Sequence, residues 1–275
     1  MSETRKAPSP AHAYQEYFGP AIFEPFAEQA VSASPPQPGE RILDLACGTG
    51  ILTRRLAAVA GLTGRVVGVD INPMMIEVAD QTRVEHASAI EYYRGDGAML
   101  DLPDASFDAA YCQHGLQFFP DRAAGVREMR RVLDDGGRAV IATWRGLDHH
   151  PLYTALADAE EPHLAALGVE ITRAELEAPF SLGDPDELRC LLRGAGFKDL
   201  TMRSVSIEAR FADPDHFVHR MEFAYAAVIP QIADDPEAFT AYLAAIERDT
   251  TAIVATHRQG DRIVVPMHAS LVIAR

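Results

Sequence analysis

The run Ile42-Leu43-Asp44-Leu45-Ala46-Cys47-Gly48-Thr49-Gly50 constrains this chain more than any other feature. An apolar stretch interrupted by one acid, Asp44, reads as a buried strand that stops at a glycine-containing turn. The turn opens directly into the helical pattern ILTRRLAAVA. Strand, tight turn and helix in that order form the first half of a right-handed βαβ unit, so a parallel sheet covered by helices is expected. The following segments extend that alternation: RVVGVDI as a strand and PMMIEVADQTR as a helix with Pro73 in its first turn, then EYYRGD, FDAAYCQ and RAVIATW as strands. AAGVREMRRVL is an amphipathic helix, closed by an expected DDGG turn. The fold class that results is α/β: a Rossmann-like, seven-stranded, mostly parallel sheet with helices on both faces.

The ends of the chain are organised differently. Residues 1–10 are polar and proline-containing, an expected loose tip. Residues 11–31 are aromatic and helix-prone, and SASPPQPGE breaks that helix. Beyond Trp144, helices are expected over 151–168, 184–194 and 213–258, the last broken at Pro230 and Pro236, with strands at 197–210 and 262–274. With no clean linker or repeat, the expectation is a single domain over 1–275. Within it, 1–38 forms a lid, 40–145 the ligand-binding half, and 146–196 and 212–259 a helical cap.

Composition excludes several function classes. The 275 residues are 48% apolar and 24% charged, a soluble globular composition, with 25 basic against 40 acidic residues and a net charge of −15. Such a chain is poorly suited to a nucleic-acid backbone or an anionic membrane surface. Cys47, Cys112 and Cys190 are too few and scattered for a disulfide framework or a zinc site. No apolar run approaches a membrane span, and MSETRKAPSP lacks the core of a secretory signal. The expectation is a cytoplasmic protein that handles a small molecule, with a homodimer as the oligomer considered.

The residues around the turn sharpen the ligand. Gly48 and Gly50 allow close backbone approach, and the following helix offers free N–H groups and a positive dipole end. Asp70 ends the next strand 20 residues beyond Gly50, where an acid can accept both hydroxyls of a ribose. Asp96, in GDG, ends the third strand, and the fourth ends in Gln113-His114. A nicotinamide site is the competing use of such a sheet. Against it stand Asp44 before the turn, Thr53 where the third glycine of that fingerprint belongs, and the GDG block.

Taken in order, DLACGTG, VDINPMM, GDGAMLDLPDASFDAAYCQHGLQFFPD and LDDGGRAVIATW resemble the class I S-adenosylmethionine-dependent methyltransferases, in the branch that holds ubiquinone/menaquinone-type and natural-product enzymes. The resemblance covers about residues 40–145 and implies a last strand inserted antiparallel beside the fifth. It implies S-adenosylmethionine as cofactor and S-adenosylhomocysteine as product. Asp44 and Ala46 to Gly50, Cys47 and Gly48 included, would hold the methionine end. Asp70 would bind the ribose, Ile71 and Met75 would flank adenine, and Asp96 with Gly97 and Ala98 would contact its edge. Gln113, His114 and Gln117 would lie beside the sulfonium, with Tyr14 and Tyr17 closing over the cofactor. Ala46 stands where many members have glycine.

The implied reaction is methyl transfer to an O, N or C nucleophile of a small organic acceptor, in secondary metabolism. Quinone C-methylation is the runner-up within the class, and a non-catalytic cofactor-binding scaffold lies outside it. His114 is the candidate base; Tyr14, Phe18, Phe118, His216, His219, Glu222 and Tyr225 are candidate acceptor-pocket residues, and Phe119 could instead be core. His149-His150 and His216-x-x-His219-x-x-Glu222 do not converge as metal ligands, so no metal is expected. Cys47 needs no reactive role.

Overall fold

The computed structural model describes residues 9–83, 89–226 and 235–275. Strands β1 (Arg41–Leu45), β2 (Arg65–Asp70), β3 (Ala89–Arg94), β4 (Phe107–Gln113), β5 (Leu133–Trp144), β6 (Leu200–Ala212), β7 (Arg258–Gln259) and β8 (Arg262–Ala274) form one sheet, ordered β3-β2-β1-β4-β5-β8-β6, with β7 on the edge of β8. The β3-to-β5 block is parallel, and β8 runs antiparallel to both β5 and β6. The expected insertion of the last strand beside the fifth is what the register shows, Val140 opposite Ile273. β7 is an addition of only two residues, turned back onto β8 through Gly260 in the left-handed region.

Alternating side chains divide the core between two faces. Ile42, Val66, Tyr111 and Val140 join the cluster under the N-terminal helical segment and the helices Ile51–Ala60, Pro151–Ala166 and Pro236–Thr256. Leu43, Val67, Cys112 and Ile141 face the other way, onto helices Arg122–Val132 and Pro185–Gly194. Near-continuous apolar strands are thereby buried on both sides, as a parallel block requires.

Three details depart from the sequence expectations. DDGG does not end before the fifth strand. Phe107 pairs with Leu133 and Ala109 with Arg138, so residues 134–137 bulge out opposite Asp108 within one long strand. Asp134 is held at that bulge by Arg41, whose guanidinium also grips Asp108. The N-terminal helix spans Pro10–Ala33, and its middle, Tyr14–Phe23, is wound as a wider π-helix around Pro20. The expected helix over 213–258 is described as a turn at Pro214–His216 followed by Phe217–Ala226, then Pro236–Thr256; the expected break at Pro230 lies outside the described residues.

Candidate active site

The strand order reverses direction between β1 and β4, and a crevice opens there, at the carboxyl ends of the strands. Ala46 follows β1 with φ 56°, and Gly48 and Gly50 hold φ 55° and 76°. Three left-handed residues in five turn the chain sharply into helix Ile51–Ala60. A side chain on Gly48 would meet nothing within 4 Å, so its backbone is open to a ligand. Gly115 has no such room: a Cβ there would lie 2.4 Å from that of Ala46, so the Ala46 methyl packs against the Gly115 backbone where β1 and β4 end.

The carboxylate at the end of β2 secures the turn. The Gly48 N–H donates to Asp70 Oδ2 and the Asn72 N–H to Oδ1, both at 2.8 Å. Burial raises the Asp70 pKa, while these amides oppose the rise. Asp44 sits beneath the turn, 1% exposed, and accepts a 2.5 Å hydrogen bond from Thr53 Oγ1. Burial lifts its pKa to about 7, with neighbouring Asp70 adding to the rise. Thr53, at the position where a dinucleotide fingerprint carries glycine, is thus the partner of this buried acid.

A cavity of about 420 Å³ fills the crevice. Of the expected cofactor residues, Tyr14, Ala46, Gly48, Asp70, Ile71, Met75, Asp96, Gly97, Gln113 and His114 line it. Asp44, Cys47 and Gly50 do not line it, and neither does Ala98, whose N–H donates to Asp96 Oδ1. Gln117 is buried, its amide donating to the His114 carbonyl. Tyr17 turns away to pack on Phe18 and Phe211. Phe119 and Pro120 also line the cavity, and a Cβ on Gly97 would strike the Phe119 ring at 2.4 Å.

A second cavity, of about 500 Å³, lies under the cap and meets the first at Tyr14, His114 and Phe118, which line both. Phe18 and Glu222, two of the residues expected around the acceptor, line this cavity. His216 and His219 do not: they border a separate depression with Glu16, Tyr17 and Arg220, and His216 is tied to Asp213 at 2.8 Å. The reason is packing: His216 stands in the turn before the helix, and the helix presents Met221 and Glu222 to the cavity. The side chain of Tyr225 lies outside the described residues.

His114 is the focus of the junction. It follows β4 with φ 53°, only 6% exposed, and its ring stacks on Trp144 with centroids 3.6 Å apart and planes 7° apart. Phe26 closes edge-on at 4.8 Å. Neither ring nitrogen has a hydrogen-bond partner among the described residues. Burial pushes its pKa down to about 3, so the ring is neutral. His150, by contrast, is a structural pin: with Nδ1 protonated, it donates to the Gly146 carbonyl at 3.1 Å, while Nε2 accepts the His268 N–H at 3.0 Å.

Sequence reasoning missed the other polar feature of the second cavity. Glu160, on helix Pro151–Ala166, hydrogen-bonds Glu222, 3% exposed, on helix Phe217–Ala226. Tyr242 Oη donates to Glu222 Oε2 at 3.3 Å. Two carboxyls in contact require a proton between them, and burial raises both pKa values, that of Glu222 strongly. Among the described residues no group of three or more metal-ligating side chains converges.

Comparison with known proteins agrees with this architecture. A methyltransferase domain family matches residues 43–141. The chain is 30% identical over 174 residues to a demethylmenaquinone methyltransferase of Staphylococcus carnosus, covering 60% of this chain and 71% of that one. It is 31% identical over 171 residues to a ubiquinone/menaquinone biosynthesis C-methyltransferase of Escherichia coli, covering 59% and 68%. The chain belongs to the class I S-adenosylmethionine-dependent methyltransferases, in their quinone-type branch. To a 2-phytyl-1,4-naphtoquinone methyltransferase of Synechococcus elongatus the chain is 42% identical over 129 residues, 46% of its length, and there it spans about half, 53%, of the relative's length.

Solved structures share the fold of this chain at lower identity. A Haemonchus contortus phosphoethanolamine N-methyltransferase bound to phosphomonomethylethanolamine and S-adenosylhomocysteine superposes with a TM-score of 0.58 at 17% identity, over 96% of this chain and 56% of that one. The (4+2)-cyclase SpnF does so with 0.54 at 18%, over 92% and 80%. A cyclase on this framework shows why chemistry has to be argued from the site.

The crevice fits the family's cofactor, S-adenosylmethionine, on its own evidence. It offers an open glycine turn, an acid at the end of β2, a second acid after β3, and the unpaired Gln113 Oε1 and His114 nitrogens at the end of β4.

Proposed function

We propose that this protein transfers a methyl group from S-adenosylmethionine to an O, N or C nucleophile of a small, largely apolar acceptor. The observation that carries the reading is the junction: a polar crevice at the sheet edge opens, through Tyr14, His114 and Phe118, into a separate apolar cavity. One cavity holds the donor, the other the acceptor, and the shared wall is where their reacting ends meet.

When bound, the sulfonium supplies an already electrophilic methyl, so the protein's task is alignment and exclusion of water. The Gly48 turn would hold the methionine end, Asp70 the ribose hydroxyls and Asp96 the adenine amino group, with Ile71 and Met75 against the ring faces. Tyr14 and Phe23 stack with centroids 4.7 Å apart and close the junction from the N-terminal helix. His114 positions the acceptor by hydrogen bonding. As a base it is poorly matched: with a pKa of about 3, it would take a proton from a phenol-like group, pKa about 10, only at a cost of roughly 10 kcal/mol. The acceptor is therefore proposed to react without deprotonation by His114, either ionised beforehand or losing its proton after transfer.

A second reading, C-methylation of a quinone ring, is favoured by the named functions of the quinone-type relatives and by the apolar cavity walls. Nucleic acid is not the proposed acceptor, in view of the net charge of −15. No helix among the described residues is long and apolar enough to cross a membrane, and a cytoplasmic location remains a proposal from composition.

Calorimetric titration with S-adenosylmethionine, S-adenosylhomocysteine and NAD tests the reading. Micromolar binding of the first two, weakened about 100-fold or more by Asp70→Ala, is expected, because the change removes the ribose partner and the anchor of Gly48. Binding of NAD alone would overturn the assignment. With the cofactor established, S-adenosylhomocysteine release across an acceptor panel that includes a demethylated naphthoquinone separates the two readings.

A further inference from the structure

Resting on the methyl-transfer reading, we infer that the acceptor is an apolar molecule carrying a protonated amine, which the Glu160–Glu222 pair binds while a different atom takes the methyl group at the junction. The pair lines only the acceptor cavity and not the cofactor crevice, so it lies away from the wall where transfer occurs.

The chemistry of the pair points to a cation. Two carboxyls in hydrogen-bonding contact hold at least one proton between them, and an ammonium placed beside them favours the form that keeps only one and carries one negative charge. Among the described residues no Lys or Arg lines the cavity. Arg173, the basic group that faces Glu160, is already bound to Asp158 and Glu177, at 2.6 and 2.5 Å. Tyr242 gives Glu222 a neutral hydrogen bond only. Glu175, a third carboxyl on the cavity wall, is occupied in a capping box with Thr172. A negative charge in an apolar cavity without a cation is costly, and a ligand ammonium relieves that cost. The walls suit the same ligand: Phe18, Phe23, Trp144, Tyr153 and Phe180 line the cavity, and aromatic rings attract a cation.

A second observation points to a polar ligand group at the junction of the two cavities. His114 is 6% exposed, lines the cavity, and leaves both ring nitrogens without a partner among the described residues. Buried polar atoms are otherwise almost always paired. His114 therefore marks the end of the acceptor near the methyl, and the carboxyl pair the end away from it. A neutral quinone would satisfy His114 and bring no cation to the pair.

The test uses the full chain saturated with S-adenosylhomocysteine, titrated with tryptamine and with its neutral counterpart indole-3-ethanol. The ammonium compound is expected to bind about tenfold or more tightly than the alcohol. Glu160→Gln and Glu222→Gln are each expected to bring the two affinities to within about twofold, because the remaining buried carboxyl then stays neutral. Affinity for S-adenosylhomocysteine should not change. If Glu222→Gln does not fold, the half-buried Glu160→Gln carries the comparison. Equal affinities in the wild type, a preference that survives Glu160→Gln, or no binding of either probe at millimolar concentration overturns the inference alone. Failure to bind S-adenosylhomocysteine overturns the methyl-transfer reading and this inference with it.

Discussion

Single residues at the strand ends combine backbone strain with unusual protonation. Ala46 and His114 both occupy the left-handed region, at φ 56° and 53°, and both line the crevice. Such conformations cost a non-glycine residue on the order of 1–2 kcal/mol and persist where surrounding packing enforces them. Asp44 is the residue whose chemistry makes the clearest prediction. Its pKa in the fold is about 7, against an ordinary 3.8, because burial disfavours its charge. An acid raised in this way favours the folded state in its protonated form. Its contribution is present below the unfolded pKa and is lost as pH rises from about 4 to about 7. A cofactor whose methionine end brings an ammonium to the Gly48 turn prefers the ionised form. Affinity for S-adenosylhomocysteine is therefore expected to rise with pH up to about 7 and then level off, with a proton released on binding below that pH. Asp44→Asn should flatten the profile. Calorimetry between about pH 5.5 and 8.5 checks this, and an equally steep profile in the variant would assign the titration to another group.

At the scale of elements, the N-terminal helix matters because it walls both cavities, and a single cation fixes how it leaves the sheet. Arg138 on β5 donates to both oxygens of Glu40, at 2.7 and 2.8 Å, and to Ser34 Oγ at 2.8 Å. Tyr111 Oη on β4 donates to the Ser34 carbonyl at 2.5 Å. The proline-rich connection is thereby held against the two central strands. With only 12% and 14% of the side chains exposed, removing the cation strands Glu40 beside the sheet. Arg138→Met is expected to cost about 2–4 kcal/mol in denaturant unfolding, and the Arg138→Met/Glu40→Met double variant less than the sum of the singles. Glu40 has its pKa lowered, so its contribution is present above the ordinary carboxylate range and lost as pH falls through it. The contrast between this segment and the cap shows what was legible. Strands, turn and acids were readable because near-continuous apolar runs, glycines and strand-end acids are local signals. The Glu160–Glu222 contact was not, because it depends on how two helices from distant parts of the chain pack. His216 and His219 share an apparent helical spacing with Glu222, but a turn at Pro214–His216 and the packing of one helix face decided which side meets the cavity. The DDGG bulge escaped for a related reason: Arg41 holds Asp108 and Asp134 from another strand.

The whole molecule is arranged so that one ligand would touch most of its load-bearing parts at once. The crevice collects residues from the ends of β1, β2 and β4, from the turn after β3 and, through Tyr14, from the N-terminal helix. That helix in turn packs on β6 through Tyr17 and Phe211, whose rings lie 5.2 Å apart. Binding at the crevice should therefore stabilise the fold cooperatively rather than locally. For a ligand that binds only the folded state, a concentration of about 100 Kd adds about 2.7 kcal/mol, which for a chain of this size raises Tm by roughly 5–10 °C. S-adenosylhomocysteine is expected to produce that shift, and Asp70→Ala to remove most of it. Amide exchange resolves the part played by the N-terminal segment. If the N-terminal segment acts as a lid, expected from the sequence over 1–38, exchange of the helix at 10–33 should slow on binding, along with that of the turns at 46–50 and 95–97. Protection confined to those turns would make the segment a fixed wall held by Arg138, with access to the site controlled instead by the cap.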